Sequence, residues 1–313
     1  MPDQARQSQI AALIEHGKAQ YFSGQSPDEG FGRFVTFLGD INGDGIGDLI
    51  IGDSSIDAEY TGSGGNTVTA KRAGSVYIVY GSHDIQPLNG TLDLKAIAAG
   101  NGGFKIIGDK GGLIGYNAVN AGDLDDDGNT DLILSGGPEG ALVVFGRGDE
   151  TQAGNLLVED IAKGIGGFAI KGAGGEAAAG GDLNGDGYAD LLLGAAGDNT
   201  AGSNTGAAYV LFGGERPVFA PASGTKSVGV DESSWSGFKI VGDIGDQVGL
   251  NLAAAGDVNG DGLDDFIAGT DIGRIAVVGR VNVLNADLGR ITDMDRRAMR
   301  QRETLADRDR LDG

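Results

Sequence analysis

Four acidic, glycine-rich loops, each followed at once by an apolar run, constrain this chain more than any other feature. The loops begin at Asp40, Asp123, Asp182 and Asp257 and share the pattern D-x-[DN]-x-D-G-x-x-D. A unit that recurs in this way is typical of repeat architectures. We therefore infer the domain organisation from the repeats rather than from the length of 313 residues.

The segments around each loop follow one order along the chain. In the third unit, "GFAIKG" (167–172) precedes a strand that ends in Gly-Asp at the loop. "DLLLGA" (190–195) follows the loop, and "GAAYVLFG" (206–213) ends the unit. Short apolar runs bounded by glycine indicate β-strands rather than helices. The sequence thus predicts four units of four strands each.

Four-stranded units at this spacing predict an all-β fold, a β-propeller built from four-stranded antiparallel blades over residues 19–281. The blades could close into a four-bladed ring, with residues 19–24 completing the fourth blade, or form part of a larger propeller. We expect a short N-terminal helix in residues 1–18, because Asp3 is a suitable N-cap and Gly17 a stop. Residues 282–313 form a charged tail that we expect to be helical.

The composition narrows the classes of partner and compartment. The formal net charge of −22 disfavours binding to nucleic acid or to an anionic membrane. The absence of cysteine excludes disulfides and thiol chemistry. No apolar run is long enough to span a bilayer, and the one near the N-terminus, residues 10–14, is too short for a secretory leader.

The spacing of the loop aspartates predicts a metal site in each loop. Carboxylates about 4 Å apart repel by on the order of 1–4 kcal/mol per pair unless a cation lies between them. Ca²⁺ accepts six to eight oxygen ligands in flexible geometry, and position 7 of each loop can add its backbone carbonyl. Glycine at position 6 allows the sharp bend. The predicted ligands of up to four Ca²⁺ ions, one per blade, are Asp40, Asn42, Asp44, Ile46 and Asp48; Asp123, Asp125, Asp127, Asn129 and Asp131; Asp182, Asn184, Asp186, Tyr188 and Asp190; and Asp257, Asn259, Asp261, Leu263 and Asp265.

Two other interpretations of the loops are weaker. An EF-hand opens with a similar pattern but needs a glutamate at position 12 and helices on both sides. Position 12 is instead apolar in every loop, as Ile51, Leu134, Leu193 and Ala268, and the flanks resemble strands. Mg²⁺ fits less well than Ca²⁺ because it requires near-ideal octahedral geometry and retains its waters. A single such loop could be a solvated turn, but four in matching context favour a metal.

The motifs resemble the FG-GAP repeat family, the blades of the integrin α-subunit propeller and of many bacterial secreted proteins. The resemblance rests on the four acidic loops, on the "FG" at Phe31-Gly32, relaxed to Ile114-Gly115 and Val248-Gly249, and on strands such as "GAAYVLFG". It covers about residues 19–280. The third unit lacks its FG, and propellers of the family usually have more than four blades.

The resemblance implies a secreted or cell-surface protein whose calcium-stabilised propeller serves in adhesion or recognition of a protein or glycan. A purely structural scaffold or spacer domain is the alternative, and a propeller-based secreted hydrolase is a weaker one. We expect no enzymatic activity, because the only histidines, His16 and His83, have no nucleophile motif nearby. The sequence leaves the ligand and the oligomeric state open.

We expect the ligand to contact loops on the face away from the calcium turns. The candidate loops are residues 53–73 and 197–205. Both segments could equally be tolerated insertions. The tripeptide Arg147-Gly148-Asp149 resembles an integrin-binding motif but is a weak match in a chain rich in glycine and aspartate. Asn89 begins a glycosylation sequon that fits a turn as well.

Overall fold

The computed structural model describes most of the repeat region. The residues described are 31–53, 57–61, 67–81, 94–109, 114, 117–137, 140–147, 155–214, 228–229, 236–271, 275–278 and 290–291. The predicted N-terminal helix, the strand at 19–24 and most of the tail predicted as helical over 282–313 lie outside them, and the two described residues of that tail, Arg290–Ile291, form a short strand instead of a helix. The described residues also exclude both boundaries of the predicted propeller domain, His16, His83, Asn89, and the Gly-Asp of the Arg-Gly-Asp tripeptide.

About half of the described residues lie in strands, and two short helices occur among them. In chain order they are β1 (Phe31–Gly39), β2 (Asp48–Asp53), β3 (Ala58–Thr61), β4 (Thr67–Ala70), β5 (Ser75–Val79), α1 (Leu94–Ala98), β6 (Gly103–Ile107), β7 (Asn117–Gly122), β8 (Asp131–Gly137), β9 (Gly140–Val144), β10 (Leu156–Leu157), α2 (Val158–Ile161), β11 (Gly167–Lys171), β12 (Glu176–Gly181), β13 (Asp190–Ala195), β14 (Ala207–Leu211), β15 (Val228–Gly229), β16 (Gly237–Val241), β17 (Asn251–Gly256), β18 (Asp265–Gly269), β19 (Ile275–Val278) and β20 (Arg290–Ile291). The prediction of a mainly β chain is confirmed. Among the described residues, no helix is long and apolar enough to cross a membrane.

The strands assemble into one sheet for each acidic loop. The first sheet has the order β1-β2-β5-β6-β10, the second β15-β11-β9-β8-β7 and the third β12-β13-β14-β16-β20. The fourth sheet contains β17, β18 and β19 among the described residues. In the first and third sheets the first four strands are antiparallel, and the two-residue strands β10 and β20 add in parallel.

One detail of the predicted unit differs in the structure. The "GF" strands that precede the second, third and fourth acidic loops belong to the sheet of the preceding unit. Gly103–Ile107 pairs with Ser75–Val79 in the first sheet, and Gly237–Val241 pairs with Ala207–Leu211 in the third. Strands that follow one another in a repeat commonly pair, and these pair across connections of 23 and 25 residues. The sequence repeat and the structural sheet are therefore offset by one strand.

The central strands are apolar on both faces, which explains their continuous hydrophobic runs. Every residue of β5 and of β14 is buried. Strands buried on both faces show such runs instead of the alternation typical of half-exposed strands. The sheets therefore have apolar cores on each side, and the polar loops lie at the strand ends.

The described residues fall into two compact units. One contains the described residues up to Ala169 except Leu124–Asp126, and the other contains Leu124–Asp126 and those from Ile170 onward. The largest core of the first unit includes Leu38, Ile50 and Leu132. The core of the second includes Leu192, Val210 and Phe266. Each unit thus packs two acidic-loop sheets around its own apolar core.

Candidate metal centres

Each acidic loop joins the first two strands of its sheet. The loops connect β1 to β2, β7 to β8, β12 to β13 and β17 to β18. These strand pairs are antiparallel, and each register shifts where the loop begins, as between Ala179 and Gly181 in the third sheet. The loops are therefore strand-to-strand turns, as the sequence predicts, and not the helix-flanked loops of EF-hands.

The aspartate at position 1 organises the backbone of its loop. In the third loop the carboxylate of Asp182 accepts hydrogen bonds from the backbone N–H groups of Gly185 (2.7 Å), Asp186 (3.1 Å) and Gly187 (2.9 Å). Asp40 and Asp257 accept the three matching N–H groups of their loops, and Asp123 accepts those of Asp127 and Gly128. Hydrogen bonds to a charged acceptor are the stronger kind. Position 1 therefore fixes the turn.

The turn also needs left-handed backbone at positions 4 and 6. Position 6 is glycine in all four loops, for example Gly187 with φ of 92°. Position 4 is glycine in three loops, but in the second loop it is Asp126 with φ of 56°. Aspartate is among the few residues that adopt this conformation at modest cost. The second loop thus keeps the same turn with a different residue.

The side chains at positions 3 and 5 continue the scheme. Asn184 Oδ1 accepts the N–H of Asp186 at 2.9 Å, and Asp186 Oδ1 accepts the N–H of Tyr188 at 3.0 Å. Position 5 accepts the N–H of position 7 in the same way in the other three loops, at Asp44, Asp127 and Asp261. The backbone N–H groups of the loop are therefore bonded to its own side-chain oxygens.

The aspartate at position 9 lies in a different environment. Asp48, Asp131, Asp190 and Asp265 are all fully buried. Asp190 accepts the N–H of Leu183 at 2.8 Å and that of Gly213 at 2.9 Å. Gly213 follows β14, so this carboxylate ties the start of the loop to the far end of the third strand. Asp48 accepts the equivalent pair of N–H groups in the first sheet, and Asp131 accepts the N–H of Gly146 in the second.

Two of these buried carboxylates, Asp190 and Asp48, are costly to ionise without a positive charge nearby. Burial raises the pKa of Asp190 to about 7, although the N–H groups of Gly213 and Leu183 oppose the shift, and Asp186 and Asp182 add repulsion. Burial raises the pKa of Asp48 in the same way. A divalent cation would favour the ionised carboxylate by its own charge. The positions are therefore suited to a cation.

One loop brings three carboxylates close together. Oxygen atoms of Asp123, Asp125 and Asp131 all lie within 4.8 Å of one another, so these residues could hold a metal ion. In the other loops position 3 is asparagine, which offers a neutral oxygen instead of a carboxylate. The donors are all oxygen atoms, the type that hard divalent cations prefer. This loop fits such an ion in ligand type and spacing.

Residues 174–211 match the family model of the FG-GAP repeat. The chain contains an FG-GAP repeat. A comparison with curated proteins found no match. The matched FG-GAP segment spans β12, the third acidic loop, β13, the loop at 197–205 and β14. The family predicted from the sequence motifs is thus found at one of the four repeat units, and the acidic loop with its buried Asp190 is part of the matched segment.

The FG-GAP segment contains a second polar cluster, which the sequence motifs did not indicate. Asp198 Oδ2 lies 2.6 Å from Lys239 Nζ and accepts a hydrogen bond from the hydroxyl of Tyr209 at 3.2 Å. The Lys239 ammonium lies 4.7 Å from the centre of the Tyr209 ring. Asp198 Oδ1 accepts the N–H of Thr200 at 2.7 Å. No sequence motif signals this cluster, because Tyr209 and Lys239 are 30 residues apart and meet only through the strand register.

This cluster fixes the loop at 197–205. Burial pushes the pKa of Asp198 upward, but the Lys239 ammonium and the bonds from Thr200 outweigh it and lower the pKa to about 2. The carbonyl of Asp198 also accepts the N–H of Gly206 at 2.9 Å. The loop leaves β13 at Ala195, the end opposite to the acidic loop. The other candidate loop, 53–73, contains the hairpin of β3 and β4.

Proposed function

We propose that the chain is a calcium-stabilised β-propeller that serves as a secreted or cell-surface binding module for a protein or glycan. The observation that carries the proposal is the repetition of one loop geometry in four sheets, each with a fully buried aspartate at position 9. Four sheets with equivalent strand orders are the expected elements of propeller blades. The FG-GAP match supports this architecture.

Calcium is the proposed ion because of the donor set. Each loop supplies carboxylates and a carbonyl or amide oxygen on a turn already shaped by its own hydrogen bonds. In the second loop the ion would lie among Asp123, Asp125 and Asp131. The ion supplies positive charge that offsets carboxylate repulsion, so its proposed role is structural. At about ten times the dissociation constant, each ion would add about 1.4 kcal/mol to stability.

The proposed ligand surface is the end of the sheets opposite to the acidic loops. The loop at 197–205 is held by Asp198, while Asn199, Thr200 and Ser203 are exposed on it. A loop that is ordered before binding loses less conformational entropy when a ligand binds. The exposed polar side chains suit a polar protein surface or a sugar. Both arguments favour recognition, and we propose no catalytic role.

Calorimetric melting tests the calcium part of the proposal. The full chain is melted in EGTA, in EGTA followed by excess Ca²⁺, and in Mg²⁺ as the control for ionic strength. We expect Ca²⁺ to raise the melting temperature and Mg²⁺ to have a much smaller effect, because Mg²⁺ retains its waters. An unchanged midpoint with Ca²⁺ would contradict calcium stabilisation.

Retention on arrays of glycans and extracellular-matrix proteins tests the binding part. The variants Thr200→Arg and Ser203→Arg place a bulky charge on the proposed ligand loop, and Asn101→Arg makes the same change on an exposed turn elsewhere. We expect specific retention that the two loop variants reduce and the control does not. Absence of retention would favour a scaffold role. Turnover of ester, phosphate or glycoside substrates that survives Asp186→Ala would favour a hydrolase.

A further inference from the structure

The third and fourth acidic loops contact each other through two hydrogen bonds between one pair of residues. The backbone N–H of Asp264, at position 8 of the fourth loop, donates to the carbonyl of Asp182, at position 1 of the third, at 3.1 Å. In return, the carboxylate of Asp264 accepts the backbone N–H of Asp182 at 2.9 Å. Both loops belong to the second compact unit. The two bonds close a ring that joins the loops, and we name this ring the Asp182–Asp264 clamp.

Glycines at the third loop allow the fourth loop to approach this closely. Gly181 has φ of 75°, and a Cβ atom at this position would clash with the carboxylate of Asp264. A Cβ atom at Gly185, position 4 of the third loop, would lie 2.9 Å from Cδ2 of Leu263. Glycine is the residue that accepts both left-handed backbone and such close contact. The two loops are therefore packed against each other as well as hydrogen-bonded.

The clamp joins residues that carry the proposed ligands of two different metal sites. Asp182 is itself the position 1 ligand of the third loop. Asp264 lies between Leu263, whose carbonyl is a proposed ligand of the fourth loop, and the fully buried Asp265. One of the two bonds has a charged acceptor, which is the stronger kind. A backbone shift at either site therefore acts directly on the ligand-bearing backbone of the other.

The side-chain half of the clamp is particular to these two loops. In the first unit the N–H of Thr130, at position 8 of the second loop, donates to the carbonyl of Asp40 at 2.8 Å, which is the backbone half of the contact. Position 8 is a carboxylate only in the fourth loop, since it is Gly47, Thr130 and Ala189 in the others. The repeat pattern leaves position 8 open, so the metal sites themselves do not require Asp264.

We propose that Asp264 is a positioning residue that couples the third and fourth loops, so that a divalent cation bound in one loop raises the affinity of the other. This inference rests on the proposed calcium sites. An ion in the fourth loop orders the backbone from Leu263 to Asp265, and the clamp then holds the backbone of Asp182 before a cation enters the third loop. A site that is already ordered loses less conformational entropy on binding. By thermodynamic linkage the effect is equal in both directions.

Terbium luminescence of the full chain gives a measurement of the third loop alone. Tb³⁺ is a hard cation that prefers oxygen ligands, as Ca²⁺ does, and it emits when a nearby aromatic side chain absorbs light. Position 7 is aromatic only in the third loop, where it is Tyr188. The part of the emission that is lost in Tyr188→Phe therefore reports occupancy of the third loop. Titration of Ca²⁺ in competition with Tb³⁺ then gives the calcium affinity of that loop.

Asp261→Ala removes a proposed ligand from the fourth loop, and we expect it to weaken Ca²⁺ binding at the third loop about fivefold or more. Asp271→Ala is the matched control, because it removes an equal charge from the same unit beyond the opposite end of β18. Asp264→Ala should remove most of the coupling, so that adding Asp261→Ala changes the affinity of the third loop by less than about twofold. Asp264→Asn should retain the coupling, because an amide oxygen still accepts the N–H of Asp182.

Amide hydrogen exchange in EGTA tests the clamp without metal. Asp264→Ala should remove protection of the Asp182 N–H, and Asp264→Asn should retain it. Equal exchange in these variants and the natural chain would overturn the clamp. A calcium affinity of the third loop that Asp261→Ala leaves unchanged would overturn the coupling but not the calcium sites. Absence of both Tyr188-dependent emission and stabilisation by Ca²⁺ would overturn the calcium sites, and the coupling with them.

Discussion

Replacement of Asp182 by alanine separates the two contributions that we assign to an acidic loop. The side chain accepts three backbone hydrogen bonds within the loop, from Gly185, Asp186 and Gly187. In the proposed holo protein the same carboxylate also binds Ca²⁺. The first contribution is present without metal, and the second appears only with it, so Asp182→Ala is measured under both conditions.

The structure gives the expected magnitudes. Each hydrogen bond contributes about 0.5–1.5 kcal/mol net, and water replaces part of it on a partly exposed loop, so we expect a loss of about 1–3 kcal/mol in EGTA. With about 1 mM Ca²⁺ and a dissociation constant of about 10⁻⁴ M, loss of one site costs about 1.4 kcal/mol more. The variant should therefore lose more stability in calcium than in EGTA.

Urea denaturation followed by far-UV circular dichroism measures these losses. Asp160→Ala is the control, because it removes an equal charge from a surface ion pair with Lys163, 3.1 Å long, outside the acidic loops. Such pairs contribute about 0–1 kcal/mol, and we expect no calcium dependence. Equal losses for Asp182→Ala in calcium and EGTA would refute metal binding at this loop. No loss in either condition would refute the hydrogen-bond scheme itself.

Two further predictions concern the core and the loop at 197–205. Leu192→Ala should lower the free energy of unfolding by about 3–5 kcal/mol, because Leu192 is fully buried. The control Ile165→Ala, on an exposed turn, should change it little. Urea titrations measure both, and equal losses of stability in the two variants would contradict the packing. The lowered pKa of Asp198 contributes stability that is present above the unfolded pKa of about 4 and is lost as the pH falls through the folded value of about 2. Asp198→Asn should therefore weaken the pH dependence of the free energy of unfolding between about pH 4 and 2. If that pH dependence is the same in the variant and the natural chain, the ion pair with Lys239 does not stabilise the ionised Asp198.

The sequence determined the strand content and the acidic turns. Asp182 bonds to N–H groups only three to five residues away, so the spacing of aspartate and glycine within the loop is sufficient to specify the turn. The glycine at position 6 was also predictable, because left-handed backbone there favours a residue without a side chain. Short apolar runs bounded by glycine gave the strands for the same local reason.

Only the tertiary structure decided what each buried group contacts. Asp190 bonds to Gly213, 23 residues away, and Asp198 pairs with Lys239 on another strand. The offset between sequence unit and sheet, and the exposure of Val258 where Ile41 is buried, are also consequences of strand assembly. Loop spacing specifies short-range bonds, whereas burial and long-range pairing depend on which sheet packs against which, and no local pattern of residues encodes that choice.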